Sequence, residues 1–188
     1  MSENGSDVCF GGFLGHNGYG SKVEYKEFQP LYICDVADFS FGQDDCAAIG
    51  AGYPQLRKII YEYLKERNVS MPNVIDPTCI FYPYTEIGKA NIFSVRTTLS
   101  SEVVIGNGNV GCGHDVVIGD INFFGPGVQI GGSVIVGNEN QIGTSSVLLP
   151  KSKIGNNNKI ASLSAVYKGC KDNCYMLGNP ALKVGETI

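Results

Sequence analysis

The stretch "IGGSVIVGNENQIGTSSVLLPKSKIGNNNKI", residues 130–160, puts a large apolar residue at every sixth position: Ile130, Val136, Ile142, Leu148, Ile154 and Ile160. The same phase runs back through Phe124 to Ile118 and forward to Val166. An earlier run with the same period takes in Ile75, Phe81, Ile87, Phe93, Leu99 and Ile105. All fifteen positions are large and apolar; at 43% hydrophobic composition such a series arises by chance about three times in a million per register. Glycine follows the apolar residue at 88, 106, 119, 137, 143 and 155. Four positions on from the apolar residue stand small or modest side chains, among them Cys79, Asn91, Asn122, Asn140 and Ser146.

A repeat this regular sets the architecture before any local propensity does. It reads as a hexapeptide parallel β-helix, each hexapeptide a short strand plus a corner, three of them closing one triangular coil. The apolar residue fills the prism. Corners need φ > 0, which Gly takes freely and Asn tolerates, and "GNGN", "GNEN" and "GNNN" supply both. Fifteen hexapeptides make about five coils, a prism of roughly 25 Å at the spacing of paired strands.

The two runs are 13 residues apart at Ile105 and Ile118, where 12 would keep phase, so one extra residue is expected between them. His114 falls on neither inward phase, which would be Gly111 or Cys112. It is therefore expected to point out of the prism beside a bulge, a common way to re-aim a side chain at a site. Asp115 stands next to it and can orient an imidazole. The bland alternative is a surface histidine on a chance insertion. Cys112, at an inward phase, reads as a buried filler rather than a covalent nucleophile.

Composition narrows the function classes. A net charge of −4 offers no basic stripe to meet phosphates, which argues against nucleic acid. No apolar run reaches the roughly 18 residues of a membrane span. The opening "MSENGSDV" lacks the basic-then-apolar order of a signal peptide. Seven cysteines without CxxC spacing read as reduced cytosolic thiols, mostly small buried fillers. Only two histidines exist, so the three-histidine zinc site of hexapeptide carbonic anhydrases is not expected, and no metal is assigned.

The first 73 residues read differently. "DVCFGGFL" (7–14) and "DDCAAIGAG" (44–52) look like short buried strands ending in glycine. Pro54 then opens a helix with the apolar stripe Leu56, Ile59, Ile60, Tyr63 and Leu64, closed by Lys65 and Arg67. This is a strand–helix α/β unit, of the kind that binds ligands at the carboxyl ends of its strands. The expected organisation is an α/β domain over residues 1–73 and a parallel β-helix with a C-terminal tail over 74–188.

"GHDVVIGD" (113–120), "FGPGVQIGGSVIVGN" (124–138), "QIGTSSVLLP" (141–150) and "GNPA" (178–181) make the chain resemble the NeuD/PglD-type sugar acyltransferases, over about residues 40–184. That resemblance implies a left-handed β-helix, a handedness the pattern alone does not give. It implies acetyl transfer from acetyl-CoA to a sugar amine or hydroxyl, in a bacterial cytoplasmic enzyme. His114 matches the family's general base, Asp115 its supporting acid, and Gly132 the backbone N–H that meets the thioester oxygen. Gly143, Thr144 and Ser162 match positions lining a CoA channel between subunits of a homotrimer. Phe123, assigned to the same channel, stands where many relatives carry a second histidine, leaving His114 alone.

The resemblance also makes residues 1–73 a truncated, partly Rossmann-like domain for a nucleotide-linked sugar, because the relatives' opening strand and glycine-rich turn are not represented. Ile49, Gly50 and Arg57 match its second binding stretch. Gly15 and His16 stand where relatives carry two acidic residues. The family's usual acceptor is a 4-amino-4,6-dideoxy sugar on a nucleotide, and no residue here selects the base.

The residue types suit that chemistry independently. An imidazole near neutral pKa can take a proton from an attacking amine or hydroxyl. A neighbouring carboxylate fixes its tautomer and stabilises the imidazolium. A preorganised backbone N–H on the thioester oxygen is worth roughly 3 kcal/mol in the transition state. "GGS" (131–133) is expected to let a ligand approach the backbone closely. Three readings stay open: an N-acetyltransferase on a nucleotide-linked amino sugar for bacterial surface glycans, an O-acetyltransferase on a sugar such as sialic acid, and a non-catalytic trimeric scaffold.

Overall fold

The computed structural model describes residues 9–16, 31–93, 98–99, 101–109 and 116–187. The chain divides into two compact units, Met1–Cys46 and Ala47–Ile188.

The second unit is a parallel β-solenoid, matching the expected left-handed β-helix. Among the described residues, fifteen two-residue strands run from Val74–Ile75 to Ala165–Val166, and the second residue of each is one of the fifteen apolar positions. Strands stack on those one coil away: Ile135 on Lys153, Gln141 on Lys159, Val147 on Ala165, each eighteen residues on. Three faces result. From Phe93 to Val166 the described inward residues are all buried and form the core. Ile75 and Phe81, in the first coil, remain 37% and 36% exposed.

The corners work differently from the expectation. The left-handed residue comes three positions after the inward one, and it is usually not glycine: Ala90, Glu102, Ile121, Ser133, Glu139, Ser145, Lys151 and Leu163 all have φ between 55° and 65°. Gly108 and Gly127 are the glycines at that position. The glycine directly after the inward residue serves close approach instead. A Cβ on Gly119 would lie 2.8 Å from the Gly137 carbonyl oxygen of the next coil, and one on Gly143 would overlap the Ser162 backbone.

The expected one-residue insertion is not what the fold contains. Val104 and Ile105 pair directly with Val117 and Ile118, so the 13 residues between them make one whole coil. Ordinary coils take eighteen residues; this one is five short. Between Asn109 and Val116 stand six residues where the coil from Asn122 to Val134 has eleven. One face therefore runs unbroken through six rungs, from Glu86–Ile87 through Val104, Val117, Ile135 and Lys153 to Gly169–Cys170. On the others the described pairs Val74–Ile92 and Ile80–Thr98 belong to sheets separate from those that begin at Phe123 and Gln129.

Two hydrogen-bond ladders follow the corner beside the unbroken face. In the inner one, the side-chain oxygen of each asparagine accepts the backbone N–H of the next, from Asn73 through Asn91, Asn109, Asn122 and Asn140 to Asn158, at 2.6–2.9 Å. Asn91 through Asn158 are buried. In the outer ladder Asp120 accepts from Asn107 N–H at 2.6 Å, and Asn138 accepts from Asp120 N–H at 2.8 Å. Both ladders cross the short coil without a break.

The last coil shortens to sixteen residues, pairing Ile154 with Cys170 and Ile160 with Met176. The strand Cys174–Gly178 then turns back antiparallel to Ala181–Glu186, closing the sheet with "GNPA" as the turn. Asp172, at the next hexapeptide position, joins the outer ladder.

Before the repeat, the helix α1 (Pro54–Glu66) belongs to the same compact unit as the solenoid, although the repeat itself starts at residue 74. Pro54 opens it as expected. Its buried side is Pro54, Arg57 and Leu64, whereas Ile59 of the predicted stripe is 53% exposed. Leu56, Ile60 and Tyr63 of that stripe are half-buried, and the helix is also tied to a polar corner by Lys58 on Glu139 at 2.8 Å and Gln55 on Asn157 at 3.2 Å. "DDCAAIGAG" forms no strand; its Ala and Gly offer little side chain to pack on a pleated surface.

The first unit, in its described residues, holds one parallel pair, β1 (Phe13–Gly15) with β2 (Tyr32–Asp35), and no helix. "DVCFGGFL" is strand only from Phe13, after Gly12 at φ 141°, where a Cβ would sit 2.7 Å from the Leu31 carbonyl oxygen. The six described cysteines form no disulfide, but Cys9 and Cys46 are exposed and only Cys174 is buried, which corrects the reading of mostly buried fillers.

Candidate functional site

His114 and Asp115 lie outside the described residues, as do Gly113 and Cys112. Both ends of the segment that carries them are well defined. Asn109 is fully buried; it accepts from Asn122 N–H and donates its own N–H to Asn91. Val116, also fully buried, accepts the Val104 N–H at 3.0 Å. The two candidate catalytic residues thus belong to the six that close the short coil between two fixed points.

One residue ties α1 to the entrance of that coil. Arg57 is 2% exposed, donating from Nε to the Ala51 carbonyl at 3.0 Å and from Nη1 to the Gly108 carbonyl at 3.4 Å. Burial pulls its pKa down to about 10, still well above neutrality, so the guanidinium stays charged. The resemblance makes Arg57 a nucleotide contact. Here two of its N–H donors are spent on backbone carbonyls inside the fold, and the side chain is almost wholly buried.

The acetyl-CoA candidates gather at one corner. Gly125, Gly143 and Ser162 stack there on successive coils, and the Thr144 carbonyl accepts Leu163 N–H at 2.9 Å. Thr144 and Ser162 are exposed. Phe123 is half-buried, its ring against Gly52, where a Cβ would lie 3.4 Å away. It packs the approach to α1. Gly132 is buried at its corner, its carbonyl accepting Lys151 N–H at 2.9 Å. The space expected beside "GGS" is taken at Gly131, where a Cβ would meet Pro150 N at 2.6 Å. The glycine is there for the next coil.

Of the substrate candidates, Ile49 is 3% exposed and serves the core. Gly50 is exposed with open space where a Cβ would stand. In the first unit Gly15 is buried, its carbonyl accepting Val36 N–H at 2.8 Å, and His16 is half-buried. Among the described residues no group of three or more His, Cys, Asp or Glu is arranged to hold a metal ion, and no helix is long and apolar enough to cross a membrane.

No protein-family model and no curated protein matches the sequence. Solved structures do match. The acetyltransferase domain of PglB from Neisseria gonorrhoeae, in complex with acetyl coenzyme A, superposes with a TM-score of 0.76 at 18% identity, over 92% of this chain and 82% of that one. WeeI from Acinetobacter baumannii gives 0.79 at 20%, over 94% and 88%. A mutant of perosamine N-acetyltransferase from Caulobacter crescentus, in complex with CoA and GDP-perosamine, gives 0.66 at 22%, over 74% and 69%. At these identities the likeness is one of architecture: the chain has the β-solenoid fold of these three structures.

Proposed function

We propose that the protein is an acetyl-CoA-dependent N-acetyltransferase acting on a nucleotide-linked 4-amino-4,6-dideoxy sugar for bacterial surface glycan synthesis. The observation that carries this reading is the coincidence of His114 and Asp115 with the thirteen-residue coil, in a fold shared with enzymes solved with acetyl-CoA and GDP-perosamine. A coil shortened by five residues with both ladders intact is a built feature, and a departure from a repeat is where a site is accommodated.

In the proposed reaction the sugar amine attacks the thioester carbonyl while His114 takes the proton the nitrogen loses. The new C–N bond forms as the C–S bond breaks, and the proton goes on to the departing CoA thiolate. Asp115 holds the imidazole and stabilises its charged form. The Gly132 N–H is assigned to the thioester oxygen, and Phe123, Gly143, Thr144 and Ser162 to the CoA channel. Residues 74–188 carry this chemistry and residues 1–73 acceptor binding, with Gly15, His16 and Gly50 as contacts. The channel implies a homotrimer, and the acceptor a cytoplasmic setting.

The test is a mass-spectrometric screen of nucleotide-linked amino sugars with acetyl-CoA, followed by location of the acetyl group. Transfer to nitrogen supports the reading. Transfer only to hydroxyls makes the protein an O-acetyltransferase, and no transfer to any acceptor moves the scaffold reading to the front.

A further inference from the structure

Beside the start of α1 lies a cavity of about 340 Å³ that the reading above does not use. Its size is at the small end of the range for sites that take a small molecule. One wall is the sheet face that carries Phe123. Phe123 pairs with Gln141, Gln141 with Lys159 and Lys159 with Tyr175, and the last three line the cavity. Tyr53, the N-cap residue of α1, lines it too.

Three features of the cavity call for an electron-rich ligand. Asn158, 2% exposed, is part of its wall. Its Oδ1 accepts Cys174 N–H at 2.7 Å, continuing the inner ladder, but its Nδ2 has no hydrogen-bond partner among the described residues. In earlier coils that amide is used: Asn91, Asn122 and Asn140 donate from Nδ2 to the Gly106, Gly137 and Gly155 carbonyls at 2.9–3.0 Å. The last coil takes sixteen residues rather than eighteen, and Asn158 has no equivalent carbonyl. A buried donor left unpaired in a folded protein calls for an acceptor. The second feature is the start of α1, where Tyr53 makes no side-chain cap and the first turn holds no Asp or Glu. The open N–H groups and partial positive charge of a helix start favour an anion. Third, the Lys159 ammonium lies 5.5 Å from the centre of the Tyr175 ring and, among the described residues, pairs with no carboxylate. Glu139 and Glu186 also line the cavity, but Lys58 at 2.8 Å and Lys183 at 2.9 Å meet their charges.

We infer that this cavity binds a nucleoside phosphate, with Lys159 and the start of α1 serving the phosphate and the tyrosines serving the base. A phosphate answers all three donors, and Tyr53 and Tyr175 supply ring surface on which a flat heterocycle stacks. Two molecules of the proposed reaction carry such a group: acetyl-CoA at its adenosine end, and the nucleotide-linked acceptor. The ligand class rests on the cavity, and only the choice between these two sources rests on the function proposed above.

The experiment is calorimetric titration of the full chain with CoA, ADP, GDP, UDP and dTDP in turn. The variants are Lys159→Glu and Tyr53→Ala, with Lys153→Glu as control: the same charge change at an exposed lysine on another face of the prism. Thermal melting checks that each variant is folded. Lys159→Glu is expected to weaken binding of the nucleotide that the cavity takes by about tenfold or more, the loss of a charge-assisted contact. Tyr53→Ala should weaken it about fivefold or more through lost stacking. Lys153→Glu should stay within about twofold, since salt screens a distant charge. Weakened CoA and ADP binding assigns the cavity to the acetyl donor, and weakened GDP, UDP or dTDP binding assigns it to the acceptor; either result supports the inference. If the parent binds none of the five, or if Lys159→Glu and Tyr53→Ala bind them as the parent does, the inference is overturned. Nucleotide binding that weakens in Lys159→Glu, in a protein that transfers no acetyl group to any acceptor, keeps the cavity's role while the functional reading falls.

Discussion

The coil from Ile118 to Val136 and the coil from Ile105 to Ile118 occupy the same solenoid, share the same two ladders and bury the same kind of residue, yet one spends eighteen residues and the other thirteen. The regular coil explains stability: every inward residue from Ile118 to Val136 is buried, and each of its strands pairs with the one eighteen residues on. The short coil gives up part of that regularity. Its corner keeps Asn107 and Asn109 in their ladders, so that corner and the unbroken face stay regular, while the other two faces start new sheets at Phe123 and Gln129. A repeat can absorb such a loss because each rung contacts only its neighbours. Five residues removed from one coil leave the rest in register.

The largest expected effect separates the two coils by rate. His114→Ala should lower kcat about 10²- to 10⁴-fold, the usual contribution of a general base, while the melting temperature stays put. Inserting five residues between Val110 and Val116 restores an eighteen-residue coil. The chain should still fold, and turnover should be lost. Full activity of the insertion variant would mean that the shortening is incidental to function.

The next effect separates them by stability. Leu148→Ala, in a regular coil and fully buried, should cost about 2–5 kcal/mol with no specific change in chemistry. For a chain of this size that is a fall of several degrees in a calorimetric scan. A drop no larger than that of His114→Ala would show that the solenoid core is less cooperative than its packing indicates.

Smaller still is the ladder. Asn122→Ala leaves the buried Asn140 N–H without its acceptor and removes the donors to Asn109 Oδ1 and Gly137 O, at about 1–3 kcal/mol. Because Asn122 stands one coil above the short segment and Asn140 in regular surroundings, the pair calibrates the site. Asn140→Ala should cost a similar amount of stability, while only Asn122→Ala should also raise hydrogen exchange in 110–115. Equal exchange in both variants would detach the ladder from the site.

Much of this was written in the sequence, and where it was misread the physical reason is plain. The apolar hexapeptides named the fifteen two-residue strands from Val74–Ile75 to Ala165–Val166, because a residue inside a narrow prism has no alternative to being apolar, and missed only the strands of the shortened last coil. The error came from counting that period alone. Six residues is the period of a strand and corner, but eighteen is the period of the stacking, and stacking is what hydrogen bonds enforce. The segments "EIGKAN", "VIGNGN", "VIGDIN", "IVGNEN" and "KIGNNN", at 86, 104, 117, 135 and 153, carry the ladder asparagine and repeat at 18, 13, 18 and 18. Aligned on that asparagine, the short coil is visible as a coil. Arg57 was less legible: a lone arginine on a helix gives no sign of which carbonyl it will meet, since Gly108 is 51 residues away. The glycines misled for a similar reason, since the clash each one avoids is with a coil eighteen or thirteen residues on.

The smallest effect concerns the corners. Lys151 holds φ 65° with an exposed side chain in a regular coil, a conformation that costs a non-glycine residue roughly 1–2 kcal/mol. Lys151→Gly should relieve that strain, less the roughly 0.4–1 kcal/mol by which glycine stabilises the unfolded chain. The net is a gain of at most about 1 kcal/mol, a rise of a few degrees in the melting temperature. Gly108→Ala is the opposite exchange, at the corner of the short coil that follows the unbroken face. It adds strain at φ +69° and a Cβ 3.2 Å from Ile121 Cδ1, so it should lower stability by about 1–2 kcal/mol. If Gly108 is also the point from which the segment 110–115 is aimed, Gly108→Ala should slow turnover where Lys151→Gly leaves it alone. Should the two substitutions move only the melting temperature, each by its own sign, all corners of the solenoid are alike and the entrance to the short coil has no special standing.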